Sequence, residues 1–304
     1  MEKLYGGLEA GGTKFVCAVG RGPGDLRAEV RLPTTTPEET IGRALDFFRE
    51  QEAAHGKIAA LGIGSFGPVD LDPASPTWGF ITSTPKAGWK NADLAGALGR
   101  ALEVPVAFTT DVGAAALGEG TWGAAQGISD FAYVTVGTGI GGAAVAGGRL
   151  VQGLLHPEMG HLRIQREKSD DFAGICPFHG DCLEGLASGP AIAARWGRKA
   201  EDLPEDHPAW DLETEYLAQL AATLTLVLSP KRILLGGGVM RRISLYPRIR
   251  TRLQALLGGY LEASALKELE TYLQPPALGQ EAGVLGALAL ARSSRQAVNR
   301  APRS

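Results

Sequence analysis

Residues 4–20 read LYGGLEAGGTKFVCAVG, two apolar runs joined by a turn rich in glycine and threonine. Glycine in such a turn allows positive backbone φ or a close backbone approach, so this stretch predicts a β-hairpin. The same pattern returns about 126 positions later, where residues 131–148 read FAYVTVGTGIGGAAVAGG. The repetition indicates an internal duplication, with one strand–turn–strand unit at the head of each half of the protein.

Helices and further strands follow each of these hairpins. Thr36, Pro37 and Glu39 form a capping-box pattern, and apolar residues then recur at helical spacing, which predicts a helix over about 37–53. Apolar runs predict strands at 58–65, 105–110 and 232–235, and helices at 114–118, 212–228 and 281–292. Strands that alternate with helices indicate an α/β fold with substantially parallel sheets.

Composition excludes several classes of protein. The chain has 304 residues, a formal net charge of −3 and 44% hydrophobic residues, which is enough to form a large buried core. It contains no basic run and no uninterrupted apolar run of transmembrane length, so we expect neither a nucleic-acid nor a membrane partner. The first residues lack the apolar segment of a signal peptide, and we therefore expect a cytoplasmic protein.

Three glycine-rich turns are candidates for phosphate binding. Residues 9–14 (EAGGTK), 137–142 (GTGIGG) and 236–238 (GGG) expose backbone N–H groups, and the threonine hydroxyls of the first two add donors. The P-loop spacing is absent, and each of the first two turns joins strand to strand. A single turn of this kind is more often ordinary hairpin chemistry, but three in one chain favour a role in phosphate binding.

Two other features are open to more than one interpretation. His161, Cys176, His179 and Cys182 supply four nitrogen and sulfur ligands, which suits a closed tetrahedral zinc site. The alternative is two ordinary buried thiols and a solvated loop histidine. Asp111 follows a strand and precedes a helix, so it is either a carboxylate available for proton transfer or the N-cap of that helix.

Five motifs occur in an order that resembles the ROK family (repressors, open reading frames, kinases). They are Glu9 to Thr13, Thr110-Asp111, Gly137 to Gly142, Glu158-Met159-Gly160-His161 and Gly236-Gly237-Gly238. The resemblance extends over residues 7–291, and residues 79–86 (GFITSTPK) and 176–190 (CPFHGDCLEGLASGP) resemble the zinc-containing bacterial fructokinases of that family. It implies a two-domain actin-like ATPase (ribonuclease H-like) α/β fold with an inter-domain cleft. We expect a smaller domain at 1–117, to which a helix at about 285–300 returns, and a larger domain at 118–284 that contains the zinc loop.

The resemblance also implies roles for individual residues. Asp111 would be the catalytic base, and structural zinc would be held by the four ligands named above. Hexose would be bound by Thr110, Asp111, Glu158, His161 and Glu184. ATP would be bound by Gly11, Gly12, Thr13, Lys14, Gly137, Thr138, Gly139, Gly236 and Gly237, together with Mg²⁺. Two positions depart from the family pattern, because Glu9 replaces the usual Asp and Gly113 replaces the usual Asn.

The activity implied is ATP-dependent phosphorylation of a hexose at its 6-hydroxyl, with D-fructose preferred and mannose or glucose as further substrates. The alternative within the family is a kinase for glucose or an N-acetylhexosamine. A sugar-responsive repressor is disfavoured, because a winged-helix segment would precede the first glycine turn and only about eight residues do so here. We also expect a homodimer.

Overall fold

The computed structural model describes residues 3–300, with side chains as far as residue 294. Its strands are β1 (Leu4–Ala10), β2 (Lys14–Gly22), β3 (Asp25–Pro33), β4 (Ile58–Ser65), β5 (Phe80–Ile81), β6 (Ala92–Asp93), β7 (Val106–Thr110), β8 (Phe131–Val136), β9 (Ile140–Ala146), β10 (Arg149–Leu150), β11 (Arg232–Gly236) and β12 (Leu273–Gln274). Its α-helices are α1 (Pro37–His55), α2 (Ala95–Leu102), α3 (Asp111–Trp122), α4 (Leu183–Ala187), α5 (Gly189–Trp196), α6 (Ala209–Leu228), α7 (Leu245–Leu257), α8 (Ser264–Lys267), α9 (Leu269–Tyr272) and α10 (Ala282–Arg300).

The chain forms two compact units. The first runs to Gln126 and also includes Gln152–His156 and the segment from Leu278 onward. The second consists of Gly127–Val151 and Pro157–Ala277. A division after residue 117, as expected from the sequence, would fall inside α3, which continues to Trp122.

The first unit contains a five-stranded sheet in the order β3-β2-β1-β4-β7. β1 and β2 pair antiparallel as a hairpin, and β4 and β7 run parallel to β1. The pairing places Ala10 beside Ser65 and Ser65 beside Thr110, so these parallel strands end in register at one edge of the sheet. The segments that follow these strands in sequence therefore start next to one another at that edge.

The second unit repeats this arrangement in the order β10-β9-β8-β11-β12. β8 and β9 form the antiparallel hairpin, and β11 runs parallel to β8 with Gly236 beside Thr135. The repeated strand–turn–strand pattern of the sequence thus heads two sheets of matching order. The expectation of substantially parallel sheets needs correction, because hairpin pairing makes both sheets mixed.

Local sequence signals account for the first helix. The Thr36 hydroxyl accepts a hydrogen bond from the Glu39 N–H at 3.3 Å, and Pro37 occupies the first turn. α1 extends to His55, which confirms the predicted helix and lengthens it by two residues. Its apolar face, which includes Phe47 and Phe48, packs into the core of the first unit.

Helix α10 packs against β4 and α3 at very short range. A Cβ built on Gly62 would lie 1.9 Å from the Ala287 carbonyl oxygen, and one on Gly286 would lie 1.7 Å from the Ala114 carbonyl oxygen. Only glycine permits backbones to approach this closely. The C-terminal helix is therefore a built-in part of the first unit.

Each unit has its own hydrophobic core. Phe15, Phe48 and Trp89 are fully buried in the first, and Leu183, Trp210 and Tyr216 are buried in the second. Among the described residues, no helix combines the length and the apolar character that a membrane span requires.

Candidate active site and metal centre

The carboxyl ends of β1, β4 and β7 bring three segments of the first unit together. They are the turn at Gly11–Thr13, the turn at 66–68 and Thr110-Asp111. In sheets of this type, functional groups gather outside the carboxyl ends of parallel strands. Glu9, one residue before the end of β1, belongs to the same edge.

Asp111 is the first residue of α3, and Thr110 caps that helix. The Thr110 hydroxyl accepts from the Gly113 N–H at 3.0 Å, whereas Asp111 Oδ1 accepts from the adjacent Val112 N–H at 2.8 Å. The N-cap interpretation of Asp111 is therefore wrong. Burial raises the pKa of Asp111 to about 6, partly offset by the Val112 hydrogen bond. A carboxyl group in this environment is a competent base at neutral pH.

The capping arrangement also explains Gly113. A Cβ at this position would lie 2.5 Å from Thr109 Oγ1 and 2.9 Å from Thr110 Oγ1. The two threonines thus occupy the space that the side chain of an asparagine would need.

Glu9 is a second partly buried carboxyl group at this edge. Burial raises its pKa to about 7, and the nearby charge of Asp111 adds to the effect, while Lys14 opposes it. Two partly buried carboxyl groups, one of which raises the proton affinity of the other, are a favourable place for a cation. Their oxygen donors suit a hard divalent ion such as Mg²⁺.

A backbone hydrogen bond closes the turn after β1, and part of the turn is exposed to solvent. The Gly11 N–H donates to the Lys14 carbonyl at 2.9 Å, and Thr13 and Lys14 are exposed. A Cβ built on Gly12 meets no heavy atom within 4 Å among the described residues. The described structure therefore does not itself require glycine at position 12.

The turn after β8 uses some of its backbone groups internally. The Gly137 carbonyl accepts from the Gly189 N–H at 2.8 Å, and the Ile140 N–H donates to Glu184 Oε2 at 2.9 Å. Within the described part of the chain, the N–H groups of Thr138 and Gly139 have no hydrogen-bond acceptor. These two donors and the Thr138 hydroxyl are available to an anion.

A cavity of about 900 Å³ adjoins this turn in the second unit. Thr138, Pro190, Trp210, Gly238 and Arg242 are among the residues that line it. The volume is that of a small-molecule site large enough for a nucleotide. Of the residues assigned to ATP by resemblance, Gly137 and Thr138 line this cavity.

Gly237 lies behind the cavity and has a structural requirement of its own. Its φ is +97°, and a Cβ there would lie 2.3 Å from the Val136 carbonyl oxygen. Gly237 therefore allows β11 to turn tightly against β8, and its neighbour Gly238 reaches the cavity. Position 237 needs glycine whether or not a nucleotide is bound.

The wall of the cavity contains an ordered cation–π pair. The Arg242 guanidinium lies 3.9 Å from the centre of the Trp210 ring and donates to the Leu203 carbonyl at 2.7 Å. Glu205 pairs with Arg242 and accepts from the Ser244 hydroxyl. Sequence reasoning missed this part of the site, because its residues come from separate segments and carry no shared motif.

The four proposed metal ligands converge in the second unit. Their ligand atoms lie within 4.8 Å of one another, and the group could hold a metal ion. His161 Nδ1 is 3.5 Å from Cys182 Sγ and 3.7 Å from Cys176 Sγ, and His179 Nδ1 is 3.6 Å from Cys176 Sγ. Tetrahedral zinc with ordinary Zn–S and Zn–N bond lengths requires nitrogen–sulfur separations of about 3.6 Å. The donor set and its spacing therefore fit zinc, and unconnected thiols would not produce this convergence.

Backbone hydrogen bonds hold the ligand-bearing segments. Cys176 and Gly180 exchange a pair of hydrogen bonds at 3.1 and 2.9 Å, and the Leu183 N–H donates to the Leu162 carbonyl at 2.9 Å. Burial, with a contribution from the neighbouring Cys176, raises the pKa of Cys182 to about 11. A bound metal ion would displace the thiol protons, as it does at cysteine sites generally.

Sequence comparison identifies the protein family. The ROK family model matches residues 5–294. The chain belongs to the ROK family. The fold just described, with its two sheets and glycine turns, is the context in which the family motifs occur.

Named relatives of this ROK-family chain share most of its length. A fructokinase of Lactococcus lactis subsp. cremoris is 44% identical over 96% of this chain and 98% of its own. A fructokinase of Pediococcus pentosaceus is 42% identical, with the same two shares. The crystal structure of a ROK hexokinase from Thermus thermophilus matches with a TM-score of 0.80 and 28% identity, over 97% of this chain and 99% of that one.

In this ROK-family chain, the residues expected to bind sugar lie in different environments. Glu158 is exposed just before the short 3₁₀ turn Met159–His161, which also carries the first metal ligand. Glu184, on α4, holds the Ile140 N–H and lies two residues after Cys182. Thr110 is buried and serves as a helix cap. Glu184 thus links the metal ligands to the glycine turn, which the sequence did not indicate.

Proposed function

We propose that this protein transfers the γ-phosphoryl group of ATP to the 6-hydroxyl of a hexose, with D-fructose preferred. The observation that carries the proposal is Asp111, a partly buried carboxyl group whose pKa is raised to about 6, at the carboxyl edge of the first sheet. The preference for fructose is supported by the relatives of that name, which are 42% and 44% identical over nearly the whole chain.

Asp111 would act as the general base. At neutral pH a carboxyl group with a pKa near 6 is mostly ionised, yet it is a stronger base than an exposed aspartate. It accepts the proton of the 6-hydroxyl as that oxygen forms a bond to the γ-phosphorus and the bond to the ADP oxygen breaks. Positioning of the hydroxyl and neutralisation of phosphate charge supply most of the rest of the rate enhancement.

Two of the glycine turns would supply donors for phosphate. In the second unit, the Thr138 hydroxyl and the N–H groups of Thr138 and Gly139 would donate to phosphate oxygens, and the cavity beside them would hold the nucleoside. In the first unit, Gly11, Gly12 and Thr13 would contact phosphate through backbone donors, with the exposed Lys14 nearby. Gly236 and Gly237 would shape the turn that ends at Gly238.

Mg²⁺ would be held through Glu9, and Asp111 lies close enough to affect the charge there. When bound, the ion supplies positive charge that neutralises the phosphates during transfer. A glutamate in place of the usual aspartate reaches one methylene further.

Sugar would be bound by Glu158, His161 and Glu184. His161, Cys176, His179 and Cys182 would hold zinc, and a site closed by four protein ligands leaves no position for substrate. Zinc would therefore order the segment that presents Glu158 and Glu184 and take no part in the chemistry.

The decisive test is formation of ADP with ATP and a panel of fructose, mannose, glucose and N-acetylmannosamine. We expect the highest kcat/KM with fructose. Asp111→Asn should abolish most turnover, while Asp46→Asn, on the exposed face of α1, should not change it. A preference for N-acetylmannosamine would support the amino-sugar alternative, and no sugar-dependent ADP formation would refute the proposal.

A homodimer is the remaining part of the proposal. It is supported by Leu226 and Val227, which are 57% and 75% exposed near the end of α6. Apolar side chains exposed side by side on a helix are typical of contact surfaces. Light scattering after size-exclusion chromatography should give twice the mass of the chain, and a Val227→Glu variant should lower it.

A further inference from the structure

The segment between the first and second metal ligands is an irregular loop held by one buried carboxylate. Residues 163–175 contain no helix or strand, yet Asp170 at their centre has a side chain that is only 2% exposed. Burial of a carboxylate in a loop is costly unless cations and donors surround it. Neighbouring groups must therefore stabilise the buried carboxylate of Asp170.

Two helices and the loop itself supply those partners. Arg195 Nη2, on α5, donates to Asp170 Oδ2 at 2.9 Å, and the Tyr216 hydroxyl, on α6, donates to the same oxygen. The Phe172 N–H donates to Asp170 Oδ1 at 3.2 Å, and the Arg195 guanidinium lies 4.6 Å from the centre of the Phe172 ring. We call Asp170, Phe172, Arg195 and Tyr216 the Asp170 clamp.

Further hydrogen bonds fix other parts of the same loop. The Gln219 side chain, one turn beyond Tyr216, accepts from the Gln165 N–H at 2.8 Å and donates to the Gln165 carbonyl at 2.9 Å. Arg166 Nη2 donates to the Asp170 carbonyl at 2.8 Å. The loop is thereby fixed to α6 at two points and to α5 at one, although it has no regular secondary structure.

The rear of the clamp contains unpaired polar atoms. Arg195 Nε and both carboxylate oxygens of Glu213 are buried and have no hydrogen-bond partner among the described side chains. Glu213 lies three residues before Tyr216 on α6 and is within electrostatic range of Arg195. Arg195 therefore interacts with two acidic residues, and its hydrogen bond goes to Asp170.

We infer that Asp170 is a positioning residue for the metal centre, holding the loop so that His161 and Cys176 stand at ligand distance before metal binds. The loop spans 14 residues between these ligands, and an unrestrained chain of that length would make metal binding cost its ordering entropy. The Asp170 clamp orders the loop during folding, so metal binding does not have to order it. The inference rests on the zinc site of the proposed function and extends it to a residue outside the ligand set.

The test measures zinc directly. Asp170→Asn keeps the size of the side chain and removes its charge, so the variant should release zinc to a chromogenic chelator about tenfold faster than the parent, at the low end of what outer partners of metal ligands contribute. Its fructose KM should rise and should return toward the parent value when zinc is added. Asp211→Asn is the matched control, because Asp211 lies on α6, the helix that carries Tyr216, and is an exposed ion-pair partner of Arg248 on α7.

Tyr216→Phe provides a second variant in case Asp170→Asn does not fold. It removes one hydrogen bond to Asp170 and keeps the buried ring, and we expect faster zinc release in the same direction but by less. Release at the parent rate from either folded variant, in a protein that binds one zinc per chain, would overturn the inference alone. A parent protein without bound zinc would overturn the zinc site and the inference together.

Discussion

At the scale of single residues, the pKa of Asp111 sets the expected pH dependence. Its pKa is raised to about 6 by burial, and the base must be ionised to accept a proton. We therefore expect kcat/KM for fructose to fall as the pH drops through about 6. Asp111→Ala should lower kcat by about 10²–10⁴-fold with little effect on ATP binding. A profile that stays flat to pH 5, or near-normal turnover in the variant, would contradict the assignment.

Glu213 should make the second unit less stable as the pH rises. Burial raises the pKa of this carboxyl well above its ordinary value of 4.5, with Arg195 opposing the shift. Above pH 4.5 the unfolded chain therefore releases a proton that the folded chain retains, and the free energy of unfolding decreases with increasing pH. Glu213→Gln removes this dependence, so its thermal midpoint should exceed that of the parent by more at pH 8 than at pH 5.5.

The control for that comparison is Glu262→Gln, since Glu262 is exposed. Its midpoint relative to the parent should be the same at both pH values. An equal difference at both pH values for Glu213→Gln would show that Glu213 is ionised in the folded protein.

At the scale of elements, the first glycine turn offers a clean test of phosphate binding. Alanine at position 12 meets nothing within 4 Å in the described structure, and the backbone there is not in the left-handed region. Gly12→Ala should therefore fold normally but raise the KM for ATP by about tenfold, the loss of roughly one hydrogen bond to a charged group. Gly24→Ala is the matched control, because Gly24 lies in a turn with equally open surroundings. An unchanged KM for ATP in Gly12→Ala would make the turn purely structural.

Gly139 cannot serve as such a test. A Cβ there would lie 2.6 Å from Glu184 Oε2, so any side chain displaces the carboxylate that holds the Ile140 N–H. Loss of activity in a Gly139 variant would therefore mix two causes.

The short helix α4 should transmit loss of the metal to both substrates. It begins directly after Cys182 and carries Glu184, which contacts the glycine turn of β8 and β9. Cys182→Ser should lower the zinc content from one per chain, raise the KM for fructose most, and raise the KM for ATP to a smaller extent. Elemental analysis and steady-state kinetics check this. An enzyme with normal sugar kinetics and an unchanged thermal midpoint would refute it.

At the scale of the whole molecule, the two units have separate cores and only the second contains the metal ligands. Zinc removal should therefore be a local event. Hydrogen exchange measured by mass spectrometry should speed up in residues 157–188 when zinc is chelated. The strands β1, β4 and β7 should exchange at the parent rate. Equal acceleration in both units would show that the metal supports the entire fold.

Much of the fold was predictable because its signals are local. The hairpins at 4–20 and 131–148, the capping box at Thr36 and the buried strand Ile58–Ser65 depend on neighbouring residues, and the structure confirms each of them. The four candidate zinc ligands could be named for the same reason, since three of them lie within seven positions.

Tertiary structure alone decided which residues from distant parts of the sequence contact one another. Thr110, not Asp111, caps α3 because of the backbone angles at the end of β7, which spacing does not reveal. The contact of Glu184 with Ile140 spans 44 positions and that of Tyr216 with Asp170 spans 46, and the cavity is assembled from four separate segments. Such pairings follow from packing of the sheets and helices. The sequence determines these long-range contacts only through the entire fold, so they cannot be predicted from any single stretch of residues.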